Sequence, residues 1–186
     1  NVLNDQRQVI FSQRKEVLST KNIVDFVNKF LEDEINDVLK EKEKTLSLEK
    51  NKILRNKFET LLQNNNETYL NEIFSNKQDD IRKLVKEKFF EKRKQRASLI
   101  SDDGNKELEK KLFLQIIDLN WKNHIQYLEQ LRQVIGLRSY GQRDPLVEYK
   151  KESYTLFENL LIKIRQDTVS LLLNIKIANV EKKERN

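Results

Sequence analysis

The sequence has no cysteine, a single histidine, a single proline and three glycines. Without thiols the chain can form neither disulfides nor thiolate metal sites, and one imidazole cannot build a histidine cluster. We therefore expect no metal site, and no nucleophile in the sequence has a partner that would make it catalytic. Because proline and glycine interrupt helices most strongly, their scarcity predicts a chain that is nearly all helix.

Long apolar runs are missing as well. No stretch approaches the roughly 20 apolar residues that a membrane-crossing helix needs. The first five residues, Asn1-Val2-Leu3-Asn4-Asp5, have neither the basic start nor the apolar core of a signal peptide. We expect a cytoplasmic protein, and because the sequence begins without Met, we expect a piece of a longer chain.

Charge is concentrated in one stretch of the chain. Charged residues make up 35% of the sequence and the net charge is +6. Between Arg82 and Arg96, eight basic side chains outnumber Glu87 and Glu91, and the rest of the chain is close to neutral. A dense basic stripe is the electrostatic mark of nucleic-acid binding and also attracts anionic lipid head groups. One hypothesis is therefore a free-standing basic helical module for nucleic acid or an anionic membrane surface, although a solvated helix explains the same stripe.

Apolar spacing divides the first hundred residues into helices. Leu3, Ile10 and Val17 recur every seven residues and predict a helix with a narrow seam, which would drive self-association if it were exposed. The pattern resets near residues 19–22. A second helix follows, with apolar residues at helical spacing (Ile23, Phe26, Val27, Phe30, Leu31, Ile35, Val38), and then shorter helices are marked by two further groups (Ile53, Leu54, Phe58, Leu61, Leu62; Ile81, Leu84, Val85, Phe89). Asn64-Asn65-Asn66 predicts a loop, and Asn76 is a candidate cap for the basic helix.

Two long amphipathic helices are predicted after the break at Ser101-Asp102-Asp103-Gly104. The first carries an apolar stripe (Leu108, Leu112, Ile116, Leu119, Trp121, Ile125, Leu128, Leu131, Ile135), and the second carries a matching one (Leu146, Tyr149, Leu156, Leu160, Ile164, Leu171, Ile175). The short connection between them predicts an antiparallel helical hairpin. The last residues, 179–186, have no apolar partner and are expected to fray.

The connection between these helices combines turn signals with exposed-type side chains. Gly136 and Gly141 have the spacing of a phosphate-binding loop, but Gln142-Arg143 replaces the Lys and Ser or Thr that would hold phosphate, and no strand precedes it. The glycines are better explained as relief of backbone strain at a tight hairpin tip. Asp144 before Pro145 is a typical start of a helix, with a carboxylate cap.

Several segments of the hairpin resemble one known family. They are Leu114 to Leu128 (LQIIDLNWKNHIQYL), Leu131-Arg132-Gln133, the stretch from Leu137 to Pro145 (LRSYGQRDP), and Glu148 to Ser153 (EYKKES). These are similar to the two-helix finger of the SecA-type preprotein translocase ATPases. Asn4-Asp5-Gln6-Arg7 through Ile10, with Gln13-Arg14, resembles the second half of the family's long scaffold helix. At the tip the family commonly has Gly-Ile-His-Leu-Arg-Gly-Tyr-Ala-Gln, and here the glycines are shifted while Tyr140 keeps its place.

The resemblance implies a division of the chain into four parts. Residues 1–20 would end the scaffold helix, residues 21–102 would form a helical wing subdomain, residues 103–178 the two-helix finger and residues 179–186 a tail. The wing is matched by position and helicity alone. Trp121, His124, Leu131 and Tyr149 are expected to pack within the scaffold, since a lone histidine on the face of Trp121 is more often packed than catalytic.

The resemblance also implies a mechanical function. The finger tip would contact the moving preprotein and the SecY/SecE/SecG channel, and a set of tip residues would make these contacts (Leu137, Arg138, Ser139, Tyr140, Gly141, Gln142, Arg143). Gly136, Asp144 and Pro145 would shape the turn and its cap. ATP and magnesium would bind to motor domains outside this segment, so the segment alone would not hydrolyse ATP. Unfolded preproteins, the parent's motor domains, anionic lipid and a second copy of the parent are the expected partners, at the inner face of the bacterial plasma membrane.

Overall fold

A computed structural model describes residues 1–138 and 144–177 of the chain. Within them the chain forms seven α-helices, one short 3-10 helix and no strand, which confirms the all-α prediction. In chain order the elements are α1 (Val2–Ser19), α2 (Ile23–Glu43), the 3-10 helix (Leu48–Lys50), α3 (Lys52–Leu62), α4 (Glu67–Ser75), α5 (Gln78–Ile100), α6 (Asp102–Arg138) and α7 (Pro145–Asn174). None of the described helices is both long enough and apolar enough to cross a membrane.

The helix boundaries in the middle of the chain are set by polar side chains. Asn51 accepts a hydrogen bond from the backbone N–H of Leu54 at 3.0 Å and so caps α3. Asn66 caps α4 in the same way, through the N–H of Tyr69 at 3.0 Å. Between these helices Gln63 adopts a left-handed conformation with φ 52°. The predicted loop at residues 64–66 is confirmed.

Two other boundaries differ from their predictions. Asn76 does not cap the basic helix: it follows α4, where its backbone N–H bonds to Ile73 O at 3.0 Å, and Lys77 is the residue that precedes α5. The break near residue 101 is a single residue, Ser101, with φ 74°. Asp102 and Asp103 belong to the first turn of α6, where the partial positive charge of a helix amino terminus favours carboxylates.

The described chain divides into two compact units. Unit 1 contains residues 1–30 and 108–169, and unit 2 contains residues 31–107 together with the described residues from Ser170 onward. Each unit makes most of its contacts within itself. The four-part division taken from the sequence is a different one, and it remains a prediction.

Unit 1 is built from α1, the start of α2, and most of α6 and α7. Its buried apolar side chains come from each of these helices (Ile10, Val17, Ile23, Val27, Phe113, Ile117, Trp121, Leu128, Ile135, Leu160, Ile164, Val169). Phe113 is central, since its ring lies 5.0 Å from that of Phe30 in an edge-to-face arrangement and 6.4 Å from that of Phe26. The seam at Ile10 and Val17 is buried, as the heptad spacing predicts.

Unit 2 surrounds a second apolar core. The core collects side chains from the shorter helices (Leu31, Ile35, Val38, Leu39, Leu48, Leu54, Phe58, Leu61, Leu62, Leu70, Ile73, Ile81, Val85, Phe89) and from the end of α7 (Leu172, Leu173). Phe58 and Phe74 meet edge to face at 5.9 Å. The buried residue Arg96 donates to Asn105 Oδ1 at 3.1 Å and to the carbonyl of Leu172 at 2.6 Å. Arg96 thereby satisfies a carbonyl that the last turn of α7 cannot pair within the helix.

Three residues that the apolar stripes placed in the core are exposed. Leu119 lies two residues from the buried Ile117, about 200° around the helix, and therefore faces away from it. Ile53 is adjacent to Leu54, and only Leu54 enters the core of unit 2. Leu146 lies in the first turn of α7. The first buried residue of this helix is Ser153, about two turns further along.

Candidate functional site

The hairpin tip predicted from the sequence falls largely outside the described residues. Residues 139–143, which include Tyr140, Gly141, Gln142 and Arg143, are not described, and of Arg138 only the backbone is. Leu137 is 75% exposed in the last turn of α6. Gly136 also lies inside α6, and its φ is not positive, so the predicted relief of turn strain does not apply to it.

The far side of the tip begins with Asp144. Its Oδ1 accepts a hydrogen bond from the backbone N–H of Leu146 at 2.9 Å, and α7 starts at Pro145. A carboxylate at this position pairs an N–H that has no partner within the helix, and proline fits the first helical position because it lacks the N–H that would be unpaired there. The cap fixes where α7 begins relative to the tip.

Apolar side chains are exposed on both helices next to the tip. On α6 they are Val134 and Leu137, and on α7 they are Leu146 and Val147, which are 59% and 60% exposed. We call these four residues the flanking apolar residues. Isolated exposed apolar residues are normal on a protein surface, and these four are noted because they lie at the adjoining ends of two helices.

Contacts further along the helices establish that α6 and α7 are antiparallel. Asn120 Nδ2 donates to Asp167 Oδ2 at 3.0 Å, and one turn later along α6 the ring of His124 lies 5.9 Å from that of Phe157. Contacts later in α6 are therefore made to residues earlier in α7, as in two antiparallel helices. Continued in this register, the last turn of α6 lies beside the first turn of α7, which brings the flanking apolar residues to the same end of the hairpin.

A buried polar cluster joins α1 to both helices of the hairpin. Gln6 Nε2 donates to the backbone carbonyl of Ser153 at 3.0 Å, and Gln6 Oε1 lies 2.8 Å from His124 Nε2. Because the bond to the carbonyl fixes which end of the amide is the oxygen, His124 Nε2 must be the donor. We call Gln6, His124 and Ser153 the polar junction. All three residues are buried.

Two aromatic rings contact the imidazole of the polar junction. The ring of Trp121 lies 5.5 Å from that of His124, and the ring of Phe157 lies 5.9 Å from it. Burial among these groups lowers the pKa of His124 below its ordinary value, because the charged imidazolium would lose its water. His124 is therefore neutral at neutral pH and acts here as a packed hydrogen-bond donor. Leu131 and Tyr149, the other two predicted packing residues, are partly buried.

Sequence reasoning missed Gln6 and Ser153 as parts of this cluster. Gln6 lies three residues after Leu3 and four before Ile10, so it occupies the same face of α1 as the apolar seam. A polar residue inside an apolar seam is a signal that could have identified it. Ser153 gave no such signal, since its contribution is a backbone carbonyl.

Two further contacts tie α1 to α6 outside the core. Arg14 and Asp118 form a two-pronged ion pair, with Nε–Oδ1 and Nη2–Oδ2 distances of 2.9 and 3.3 Å. The hydrogen bond and charge of Asp118 raise the pKa of Arg14, which favours the charged guanidinium. Lys110 Nζ reaches the carbonyl of Thr20 at the end of α1 at 3.4 Å. Together with the polar junction, these contacts fix the position of α1 relative to α6.

No group of three or more metal-ligating side chains occurs in the described ranges 1–138 and 144–177. A small groove of about 190 Å³ opens between α6 and α7, and Asn120, His124, Tyr127, Leu156 and Leu160 are among its lining residues. The groove contains no nucleophile next to a base. The arrangement can bind and position, but its side chains do not form a catalytic set.

Several cations of the basic stripe on α5 are engaged within unit 2. Arg82 bonds to Glu32 Oε2 at 2.7 Å and to Asn36 Oδ1 at 2.8 Å, and Lys86 pairs with the same Glu32. Arg96 is buried. A row of cations following a phosphate backbone needs them exposed, so this part of the stripe serves the fold of unit 2 instead.

Nearly the whole chain is similar to known proteins. Residues 1–176 match the family model described as the SecA Wing and Scaffold domain. The chain is 49% identical over 179 residues to the Protein translocase subunit SecA of Pelagibacter ubique, covering 95% of this chain and 21% of that protein. It is 34% identical over 184 residues to the subunit of Trichlorobacter lovleyi and 33% identical over 187 residues to that of a Caulobacter species, each time covering 97% of this chain and 20% of the relative. The chain thus spans about a fifth of the length of these relatives.

Proposed function

Because this chain belongs to the SecA family, we propose that it is the part of a protein-export motor that contacts the moving polypeptide and connects that contact to the motor. The relatives are named protein translocase subunits, and the same activity is proposed for the protein that contains this chain. The observation that carries the proposal is the α6–α7 hairpin, which is long and antiparallel and has exposed apolar side chains at the end next to the predicted tip.

The lengths of the two helices support the proposal that the end of the hairpin contacts a polypeptide. With 37 residues in α6 and 30 in α7, the helices extend about 55 and 45 Å at 1.5 Å per residue. The flanking apolar residues, Leu137 above all, lie where such a hairpin would meet a polypeptide. A preprotein in transit presents side chains of every kind, and apolar contacts are suited to it because they require no particular partner geometry.

Tyr140 is the proposed centre of the contact. Its ring can touch apolar groups while its hydroxyl bonds to backbone, so it can hold chains of any sequence. Arg138 and Arg143 would add hydrogen bonds to carbonyls or to loops of the channel. Ser139, Gly141 and Gln142 complete the proposed tip between the cap at Asp144 and the end of α6.

The polar junction supports a connection between α1 and the hairpin. An apolar seam between long helices permits sliding, whereas buried hydrogen bonds such as those of Gln6 hold only in one register. The Arg14–Asp118 pair restrains the same two helices. A displacement of α1 would therefore be carried to α6 and α7, and we propose that motor domains of the parent chain, with ATP and magnesium bound there, drive and are restrained by this movement.

The proposed partners at the tip are the SecY/SecE/SecG channel and unfolded preproteins. This places the parent protein in the cytoplasm and, during transport, at the inner face of the plasma membrane. Self-association of the parent through other surfaces is compatible with this arrangement. The nucleic-acid alternative is less well supported, because Arg82 and Lys86 are paired and Arg96 is buried.

The test is site-specific crosslinking in a full-length SecA that carries this segment. A photoreactive residue at position 140 should crosslink to a preprotein and to the channel during ATP-driven transport into vesicles. Tyr140→Ala should reduce transport strongly while Tyr140→Phe retains most of it, because the ring makes the apolar contacts.

Tyr154 provides a matched control. It is a tyrosine on α7, 62% exposed, ten residues beyond the cap at Asp144. A photoreactive residue at 154 should give little crosslinking to preprotein, and Tyr154→Ala should transport normally. Intact transport by Tyr140→Ala, together with no crosslinks from position 140, would remove the tip from the mechanism.

A further inference from the structure

One buried hydroxyl at the polar junction has no hydrogen-bond partner. Ser153 is fully buried and its backbone carbonyl accepts from Gln6, but its Oγ pairs with nothing in the described ranges 1–138 and 144–177. Buried polar atoms are almost always paired, so an unpaired one needs a physical reason. We propose that the polar junction has two hydrogen-bonding arrangements, and that Ser153 Oγ is used in the second one, in which α1 is released from the hairpin. This inference concerns the chain itself and does not rest on the function proposed above.

In the first arrangement the side chain of Gln6 bridges α6 and α7. His124 Nε2 donates to Gln6 Oε1 at 2.8 Å, and Gln6 Nε2 donates to the carbonyl of Ser153 at 3.0 Å. The ring of His124 also contacts Phe157, which lies one turn after Ser153 on the same face of α7. The imidazole donor and Ser153 are therefore joined through a single amide group, and withdrawal of that amide leaves them facing each other.

The second arrangement pairs the same buried groups without Gln6. His124 Nε2 would donate to Ser153 Oγ, and the hydroxyl would donate to the carbonyl of Tyr149, four residues earlier, as serine does within helices. The carbonyl of Ser153 would keep the hydrogen bond that a carbonyl inside a helix accepts from the N–H four residues on. Gln6 would reach water.

The two arrangements are therefore close in hydrogen bonding. The first leaves the Ser153 hydroxyl unpaired, whereas the second leaves no buried group of the junction unpaired. The first buries more of α1 and is the major state for that reason. With Gln6 in place, α1 and the hairpin move together, and with Gln6 withdrawn they move separately.

The other polar contacts of α1 oppose a small movement only weakly. Gln13 lies seven residues after Gln6 on the same face of α1, and its Oε1 is also buried without a partner among the described residues. The Arg14–Asp118 pair is exposed, and exposed ion pairs contribute little. Lys15 lines the same surface groove as Arg14 and Asp118, so a cation remains beside the carboxylate when α1 turns. Gln6 is thus the contact that selects the arrangement.

The test observes the imidazole of His124, whose signals are unambiguous because the chain has one histidine. Relaxation-dispersion NMR of the isotope-labelled 186-residue chain detects minor states that exchange in microseconds to milliseconds. The imidazole of His124 and the backbone N–H groups next to Ser153 should exchange with a second state populated at about 1–10%.

Ser153→Ala removes the acceptor that only the second arrangement uses. The population of the second state should fall at least about tenfold, since His124 would lose its partner there. The urea midpoint of this variant should not fall, because the deleted hydroxyl is unpaired in the major state. Thr155→Ala is the matched control, since it removes a hydroxyl from an exposed position two residues further along α7 and should leave the exchange unchanged.

Gln6→Ala removes the bonds of the first arrangement and should make the second one dominant. The chemical shift of His124 Nε2 in this variant should then equal the shift of the minor state obtained from the wild-type dispersion. If Gln6→Ala does not fold, the comparison of Ser153→Ala with the wild type still decides the question.

Three results would overturn the proposal. The first is a wild-type chain without exchange at His124, and the second is exchange that persists in Ser153→Ala. The third is a lowered urea midpoint in Ser153→Ala but not in Thr155→Ala, because it would show that the hydroxyl already has a partner in the major arrangement.

Discussion

In unit 1 long helices meet through buried polar contacts, whereas unit 2 is assembled mainly from short helices with capped ends. An apolar seam that repeats along α1 can pair with α6 and α7 in more than one register, and Gln6 selects one by bonding to His124 and to the carbonyl of Ser153. The short helices α3 and α4 have little freedom to slide, because the caps at Asn51 and Asn66 fix their ends. Helix length therefore decides where specificity must be supplied.

Matched phenylalanine truncations give the largest expected effect and test whether the two units are separate. Phe113→Ala in unit 1 and Phe58→Ala in unit 2 should each lower the free energy of unfolding by about 3–5 kcal/mol, since both rings are fully buried. Urea unfolding would be followed by Trp121 fluorescence, which reports on unit 1, and by circular dichroism, which reports on all helices.

Phe113→Ala should move the fluorescence transition, and Phe58→Ala should move a circular-dichroism phase that fluorescence does not report. If both variants shift both signals equally, the units unfold together and the comparison between them concerns packing alone. A fluorescence midpoint unchanged by Phe113→Ala would contradict the central position of that ring.

Removing the polar junction should have the next largest effect. Gln6→Leu leaves His124 Nε2 and the carbonyl of Ser153 without their buried partner, which should cost about 1–3 kcal/mol in the unfolding of unit 1. Gln8→Leu, at an exposed position two residues away, is the control. Equal stability of the two variants would mean that the apolar seam alone sets the register.

The pH dependence of unit 1 tests the burial of His124. Its pKa is lowered in the folded state from an ordinary value of 6.5, so the unfolded chain binds the proton more readily. Stability is then fully present above pH 6.5 and decreases as the pH falls from there toward the folded-state pKa, by up to about 1.4 kcal/mol per pH unit. Urea unfolding of the wild type should show this decrease as the pH falls below about 6.5, and His124→Gln should not. A wild type with flat stability over that range would argue against burial of the imidazole.

Helix caps give the smallest expected effect and sharpen the contrast between short and long helices. Asn66→Ala should cost about 1 kcal/mol of unfolding free energy, because α4 has nine residues and cannot fray without exposing Leu70. Asp144→Ala should cost less than about 0.5 kcal/mol globally, since the first turn of α7 can fray while the rest of the helix stays packed. The reverse order, measured by the same urea titration, would contradict this account of helix length.

The sequence predicted helices and breaks more reliably than it predicted which side of each helix is buried. The resets near residues 19–22 and 64–66 follow from capping and turn residues, which act locally. The outward positions of Leu119 and Ile53 could not be read in the same way, because adjacent apolar residues compete for one face and the partner helix decides between them. The exposure of Leu46 could not be predicted either, since nothing in a single sequence distinguishes an exposed Leu46 from a buried Leu48.

The residues by themselves determined the all-helical class, through the near absence of proline and glycine, and they determined the family, through motifs that span both helices of the hairpin. Tertiary structure decided which polar residues are buried together. His124 lies 118 positions after Gln6 along the chain, and Ser153 lies 147 positions after it. Tertiary structure also decided that the cations Arg82 and Lys86 pair with Glu32. Local propensity depends on a few neighbouring residues, whereas burial and pairing depend on atoms that only folding brings together.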